Sequence, residues 1–485
     1  MSKNGGKVLA SGGFGCVFSP VLKCKNASKR EKNKVSKLMK KKYAIEEYNE
    51  IISIQKKVEK IHNYKKYFLV NNINLCSPAK LTQSDLKSFK KKCNVFSSDN
   101  ITRKNINKHL DKFYILNMPN GGLPIDDYVY ANIYNSKKLI NLNKHLKELL
   151  KNGIMEMNKL FIFHCDIKES NVLIKDDTDN NNDNNNDNNN DNNNDNNNDN
   201  NNDNNNYNNN DSKSEPLTRL IDWGLSTSYT PFQNNIIPKT WKNRPLQFNV
   251  PFSVILFTDL FSEKYEEFIA TKTNEDQLKS FVLNYIKLWI KERGNGHFSF
   301  INDVLSIVFK EKYNSTTIVE KKELTMNYVA NYIIVILKKF NKKKSIKDNL
   351  LKYLDEVFIK NVDIYGFVFL YFSLLELLHN NFHNLNDNQI KLFETIKNIF
   401  IDYLFLPKTV TIHVKELLVQ LDKIDDYLQE NIDITASGVK ISNKISNKLT
   451  KFRKYKKTNT ASNFNYKFSK FFKLKKTRNK NNIYN

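Results

Sequence analysis

The apolar pattern changes its period once along the chain, and that change limits the fold more than any other feature. Residues 7–20 (KVLASGGFGCVFSP) read as a strand, a glycine turn and a second strand, and 34–39 as a third strand. Residues 66–75 and 112–118 read as further strands. Between them, residues 43–61 place Tyr48, Ile51, Ile52, Val58 and Ile61 at helical spacing. From about residue 136 the pattern turns mostly helical and stays so to about residue 431. Such a chain is expected to form an α+β fold in two lobes, a small strand-rich one (1–118) and a larger helical one (119–435).

Two segments stand outside this pattern. Residues 176–211 repeat Asp-Asn-Asn-Asn with ten Asp and no basic residue. With no apolar face, such a run cannot offset its ordering entropy, so 176–215 is expected to be a disordered insert. Apolar periodicity resumes after Pro216, so the run interrupts a lobe rather than ending it. Residues 436–485 form a basic tail, also expected to lie outside the core; from 439 onward it holds 15 Lys and Arg and no acid. The net charge of +26 survives removal of both segments in large part, so the folded body is itself basic. A basic body favours anionic partners, and the lysines and aromatics of the tail suit RNA or an anionic membrane.

Five cysteines, an odd number without a CxxC pair, point to reduced thiols and an intracellular setting. The first residues lack the apolar run of a signal peptide. The most apolar stretch, Ile364 to Leu375, is too short to span a bilayer and reads as a core helix. His62, His109, His145, His297, His379 and His383 show no metal-ligand spacing.

Three strings carry chemistry. The first is Ala10-Ser11-Gly12-Gly13-Phe14-Gly15-Cys16-Val17, whose glycines let backbone amides approach phosphate oxygens. An ordinary hairpin turn has the same composition. The second is His164-Cys165-Asp166-Ile167-Lys168-Glu169-Ser170-Asn171, followed by the strand-like Val172-Leu173-Ile174. Its spacing suits an Asp that orients a hydroxyl, a Lys that neutralises a phosphoryl group, and an Asn that holds a metal ion. The third is Leu220-Ile221-Asp222-Trp223-Gly224, a strand ending in a carboxylate that can meet Mg²⁺.

In this order the strings resemble the protein-kinase superfamily, over about residues 7–430 without the insert. The resemblance implies ATP held by Ala10, Gly12, Gly13, Phe14, Gly15, Val17 and Met118, with Lys37 on the phosphates. It implies Glu47 as the partner of Lys37, with Glu50 as the alternative, Asp166 and Lys168 as catalytic residues, and Asn171 and Asp222 as Mg²⁺ ligands. Asp363 in Asp363-Ile364-Tyr365-Gly366 resembles the buried Asp that braces the catalytic loop, although a helix N-cap is the plainer reading. Two departures stand out: Cys165 occupies the place of the family's Arg, and Arg244-Pro245-Leu246-Gln247-Phe248-Asn249-Val250-Pro251-Phe252-Ser253 stands where Ala-Pro-Glu is usual. These departures look like the divergent kinases of giant DNA viruses, which would imply host cytoplasm or the virion as the setting.

The implied activity is Mg²⁺-dependent transfer of the ATP γ-phosphoryl group to Ser or Thr of a protein substrate. The alternatives are a pseudokinase scaffold, or an RNA- or polyanion-binding protein that reuses the fold.

Overall fold

The strand signals of the first 120 residues resolve into one antiparallel sheet. The computed structural model describes residues 7–11, 14–133, 135–176, 217–233, 236–271, 274–314, 316–340 and 346–429. Strands β1 (Lys7–Ser11), β2 (Gly15–Ser19), β3 (Lys34–Lys40), β4 (Asn74–Cys76) and β5 (Phe113–Pro119) lie in the order β1-β2-β3-β5-β4. The turn glycines Gly12 and Gly13, the insert beyond Asp176 and the basic tail lie outside the described residues.

Register assigns the two faces of this sheet. Val17 opposes Lys37, Lys37 opposes Leu116, and Val35 opposes Met118. Side chains alternate along a strand, so Val17, Lys37, Leu116 and Met118 share one face. The other face carries Phe18, Leu38 and Ile115, which are buried together with Leu86, Phe89, Phe96 and Ile106. The stretch between β4 and β5 therefore covers one side of the sheet and leaves the other for the helix Lys41–Val58 and the cleft.

That helix buries Ala44, Ile51, Ile54 and Val58, a stripe with spacings of seven, three and four. Leu116 belongs to the same buried cluster as Ile51 and Ile54. Two disulfides cross-link the small lobe, Cys16 to Cys93 and Cys24 to Cys76, with Cα separations of 5.6 and 5.8 Å. This corrects the expectation of reduced thiols, and only Cys165 is free. The strand expected over 66–75 is also corrected. Regular pairing with β5 is confined to Asn74–Cys76, because the Tyr67 carbonyl and the Leu69 amide bond Leu220 instead.

The large lobe interleaves short strands with helices up to Ser228 and is helical beyond it. Strand β6 (Leu123–Pro124) pairs with β8 (Val172–Lys175), and β8 pairs antiparallel with β9 (Leu217–Leu220). The Asp/Asn insert therefore joins the two arms of one hairpin. Strand β7 (Ile162–Phe163) pairs with β10 (Thr227–Ser228). The helices that follow include Asp259–Ile269, Glu275–Arg293, Ile318–Phe340, Asp387–Phe400 and Val414–Gln429. Asn274 with Gln277, and Asn386 with Gln389, close reciprocal caps at two of their starts. The helical run Asp348–Asn380 is longer than its apolar pattern implied and is long and apolar enough to cross a membrane, but 89% of its most apolar window is buried inside the protein. It is the centre of the large lobe's core. The architecture is an α+β fold with a small lobe built on a five-stranded antiparallel sheet and a larger, mostly helical lobe.

Candidate active site

Helix and strand geometry bring Lys37 to Glu47. Glu47 follows Ala44 by three residues and precedes Ile51 by four, so it lies on the stripe that faces the sheet. Lys37 Nζ donates to both Glu47 carboxylate oxygens, each at 2.7 Å. Glu50 lies off that stripe. Burial and the charges of Glu47 and Asp222 push the Glu50 carboxyl up to about 7. Burial alone would lower Lys37, but Glu47, then Asp222, raise it above the usual lysine range. Lys37 is thus a charged, half-buried group that reaches both Glu47 and the neighbourhood of Asp222.

The loop between β7 and β8 carries the second group. Asp166 Oδ2 accepts from Lys168 Nζ at 2.6 Å and from Asn171 Nδ2 at 3.1 Å. Asn171 Nδ2 also donates to the Asp166 carbonyl at 2.9 Å, so the amide nitrogen is the end turned to Asp166. Asp166 is only 5% exposed. Burial would raise its carboxyl, but Lys168, Arg244 and the bonds from Lys168 and Asn249 outweigh it and hold Asp166 below the usual carboxylate range.

Asp363 braces this loop from beneath. It lies inside the helix Ile359–Val368, so the N-cap reading does not apply. Its two oxygens accept the backbone amides of His164 at 2.9 Å and Cys165 at 2.7 Å. Burial raises the Asp363 carboxyl to about 6 despite those bonds. Gly366, one turn on, permits the close approach: a Cβ there would meet the Ile167 carbonyl oxygen at 2.7 Å.

Asp222 follows β9 with φ of +66°, and Cys165 precedes Asp166 with φ of +58°. Non-glycine residues seldom adopt this region, and such strain gathers where a loop must aim a side chain. The two strained loops touch through His164, whose Nε2 lies 3.0 Å from the Ile221 carbonyl and whose ring lies 4.9 Å from that of Trp223. Burial lowers the His164 pKa, so it is a neutral spacer at physiological pH.

The glycine-loop residues that are described lie on and beside the sheet. Val17 shares the Lys37 face, Ala10 opposes Val17 across β1 and β2, and Phe14 is 48% exposed with its ring 4.8 Å from that of Tyr43. Gly15 has no room for a side chain, since a Cβ would meet the Leu38 carbonyl oxygen at 2.6 Å. Met118 lies at the end of β5 on the same face as Val17. Val17, Leu116 and Met118 thus lie on the sheet face that also carries the cation of Lys37. Asn171 and Asp222 are oxygen donors of the kind Mg²⁺ takes, and one or two protein ligands suffice when phosphates complete the shell. Among the described residues no group of three or more His, Cys, Asp and Glu forms a metal site.

Two residues at this site were not assigned from sequence. Asn249 Nδ2 donates to Asp166 Oδ1 at 2.9 Å, and Arg244 Nη2 donates to the Cys165 carbonyl at 2.6 Å. Both belong to the segment that departs from the family pattern. A hint was present: each is a polar residue in a stretch otherwise buried, with Leu246, Val250 and Phe252 in the core.

No protein-family model matches the sequence, and a search of curated proteins gives no match. Among solved structures, one match is a Plasmodium kinase domain, at 13% identity and a TM-score of 0.27, over 71% of this chain and 90% of that one.

Proposed function

We propose that the chain is a protein kinase that transfers the γ-phosphoryl group of Mg²⁺-ATP to Ser or Thr of a protein. The observation that carries the reading is the state of Asp166. It is a buried carboxylate kept charged, with one oxygen committed to Lys168 and Asn171 and the other to Asn249. A carboxylate held this low is a weak base. Its work would be to orient the acceptor hydroxyl, taking the proton only as that oxygen becomes acidic late in transfer. Lys168, 2.6 Å from Asp166, would meet the charge on the moving group. Lys37, fixed by Glu47, would hold the phosphates, with Asn171 and Asp222 on the metal. Bound Mg²⁺-ATP would supply the phosphoryl group and the neutralising cation. Lys168, two residues after Asp166, favours Ser/Thr over Tyr by the family resemblance.

The test is incubation of the purified chain with labelled Mg²⁺-ATP and one basic and one acidic protein, beside an Asp166→Asn control. Phosphoserine or phosphothreonine is expected with the wild type only. Equal labelling by the control, or none by the wild type, would remove the reading. The basic tail is proposed to bind RNA or another polyanion by counterion release. A chain ending at Gly438 should then keep transfer but elute earlier from heparin.

A further inference from the structure

Resting on the proposed phosphotransfer, we infer that Arg244 and Asn249 are positioning residues for Asp166, strapping their segment onto the catalytic loop so that no phosphate is needed to hold it there. Three hydrogen bonds join the strap to the loop, and a fourth braces Arg244 within it. Arg244 Nη2 donates to the Cys165 carbonyl at 2.6 Å, and Arg244 Nε donates to Gln247 Oε1 at 2.7 Å. Asn249 Nδ2 donates to Asp166 Oδ1 at 2.9 Å and to the Ile167 carbonyl at 3.2 Å. The carbonyls of Cys165 and Ile167 flank Asp166 in sequence, so the strap grips the loop on both sides of the carboxylate and on the carboxylate itself.

The electrostatics favour the same arrangement. Arg244 is 3% exposed, and its hydrogen-bond partners are a carbonyl and an amide, both neutral. Its Nη1 has no hydrogen-bond partner. Burial lowers the Arg244 pKa, and the buried carboxylates Asp166 and Asp363 oppose that shift in part. Asp363 holds the loop by its backbone amides, and Asp166 is the loop's own carboxylate. A cation that interacts with both links segment, loop and core helix. Trp289 Nε1 donates to the Arg244 carbonyl at 2.9 Å and anchors the strap in turn to the helix Glu275–Arg293.

Asn249 does what a packing residue would not. Asp166 Oδ2 already takes Lys168 and Asn171, which leaves Oδ1 as the second acceptor of the carboxylate. The amide of Asn249 fixes that oxygen with a neutral donor. The carboxylate plane is then set from both ends. Around Asp166 the other titratable groups are Lys168, Arg244, His164, His297 and Cys165, and burial lowers His297 to about 4 so that it adds no charge. Regulation by phosphate on residues 225–243 has no task left in this arrangement.

The experiment uses the full chain, with kcat and both KM values measured before and after phosphatase treatment. Wild-type activity is expected to survive dephosphorylation unchanged. Asn249→Asp is nearly isosteric but replaces the donor with a second carboxylate. It should lower kcat by roughly 10- to 100-fold, the range of a lost charge-assisted hydrogen bond, with KM for ATP unchanged. Asn249→Ala should fall less than Asn249→Asp, because it removes the donor without adding charge. Arg244→Lys, which keeps the charge but not the fork, should lie between the wild type and Asn249→Asp; should it fail to fold, the Asn249 pair decides alone. Loss of wild-type activity on dephosphorylation, or wild-type kcat in Asn249→Asp, overturns the inference while leaving the phosphotransfer reading intact. A wild type that transfers nothing overturns both.

Discussion

Lys37 Nζ sits 2.7 Å from each carboxylate oxygen of Glu47, a bond from strand to helix between residues only ten apart. Glu50 lies one turn on and makes no such bond; burial, Glu47 and Asp222 hold its carboxyl at about 7. The two acids should therefore respond in opposite ways. Glu47→Gln is expected to raise KM for ATP and lower kcat, because Lys37 loses its anchor. Glu50→Gln should keep transfer and instead change stability with pH. A carboxyl raised in the folded state contributes stability present below its unfolded value near 4.5, and lost as pH rises through about 7. Thermal melts should show Glu50→Gln gaining on the wild type at pH 8 and losing that gain below pH 5. Equal loss of transfer in the two variants would reverse the assignment.

Asp222 follows β9 on a strained backbone and is exposed, so its side chain is available to a ligand without being part of the core. Asp222→Ala should abolish transfer through loss of a metal ligand, while the melting temperature without nucleotide stays near that of the wild type. Asp166→Asn should lower kcat by roughly 10²–10⁴, the usual share of a positioned acid–base group. Its Mg²⁺-ATP affinity, read by titration calorimetry, should persist. Wild-type turnover in either variant would place the chemistry elsewhere.

The Cys16–Cys93 pair ties β2 to the segment covering the sheet, and Cys24–Cys76 ties the β2–β3 connection to β4. They close stretches of 77 and 52 residues, and loops of that size are constrained by about 2–4 kcal/mol per bridge. Alkylation of the unfolded, non-reduced protein should label one thiol, Cys165, and reduction should lower the melting temperature of the small lobe. Five labelled thiols in protein kept under air would show that the pairs do not form.

Local pattern made much of this legible. Strands β1, β2, β3 and β5 and the helix Lys41–Val58 follow from alternation and from spacings of three and four, which need no distant partner. The spacing of Asp166, Lys168 and Asn171 is likewise local, and the loop brings all three together. What stayed hidden depends on distant pairing. Residues 66–75 have strand composition, but Tyr67 and Leu69 are claimed by Leu220 across the insert. The cysteine pairs join residues far apart with no CxxC to announce them. Arg244 and Asn249 were visible as an unusual segment, yet their contacts with Cys165 and Asp166 span 79 and 83 residues. Choosing Glu47 over Glu50 needed the stripe of Ala44, Ile51, Ile54 and Val58 to be seen against the sheet.

The hairpin of β8 and β9 makes a last prediction, about the Asp/Asn insert. Val172 pairs with Leu220 and Lys175 with Leu217, so the hairpin's closed end carries the insert and its open end carries Asn171 and, past Leu220, Asp222. Asn171 reinforces that end, its carbonyl accepting from the Ile221 amide at 3.0 Å. The insert thus joins the fold at the hairpin end away from the proposed metal ligands. Asp176 belongs to the hairpin, since it accepts from Tyr128 at 3.0 Å and lies 3.5 Å from Lys138. A deletion should therefore spare it and remove residues 178–212. Loop closure costs about 0.6 kcal/mol per doubling of length, so shortening a connection of about 40 residues to about five should stabilise the fold by about 2 kcal/mol at most. Mg²⁺-ATP affinity should not change, because no proposed ligand lies in the deleted stretch. Eight of the ten Asp leave with it, which makes a basic protein more so; selectivity is then expected to shift toward acidic substrates. Competition between one acidic and one basic substrate at low and high salt would read that shift, which should fade as salt screens it. A deleted protein that fails to fold, or loses nucleotide binding, would show that the insert does more than close the hairpin.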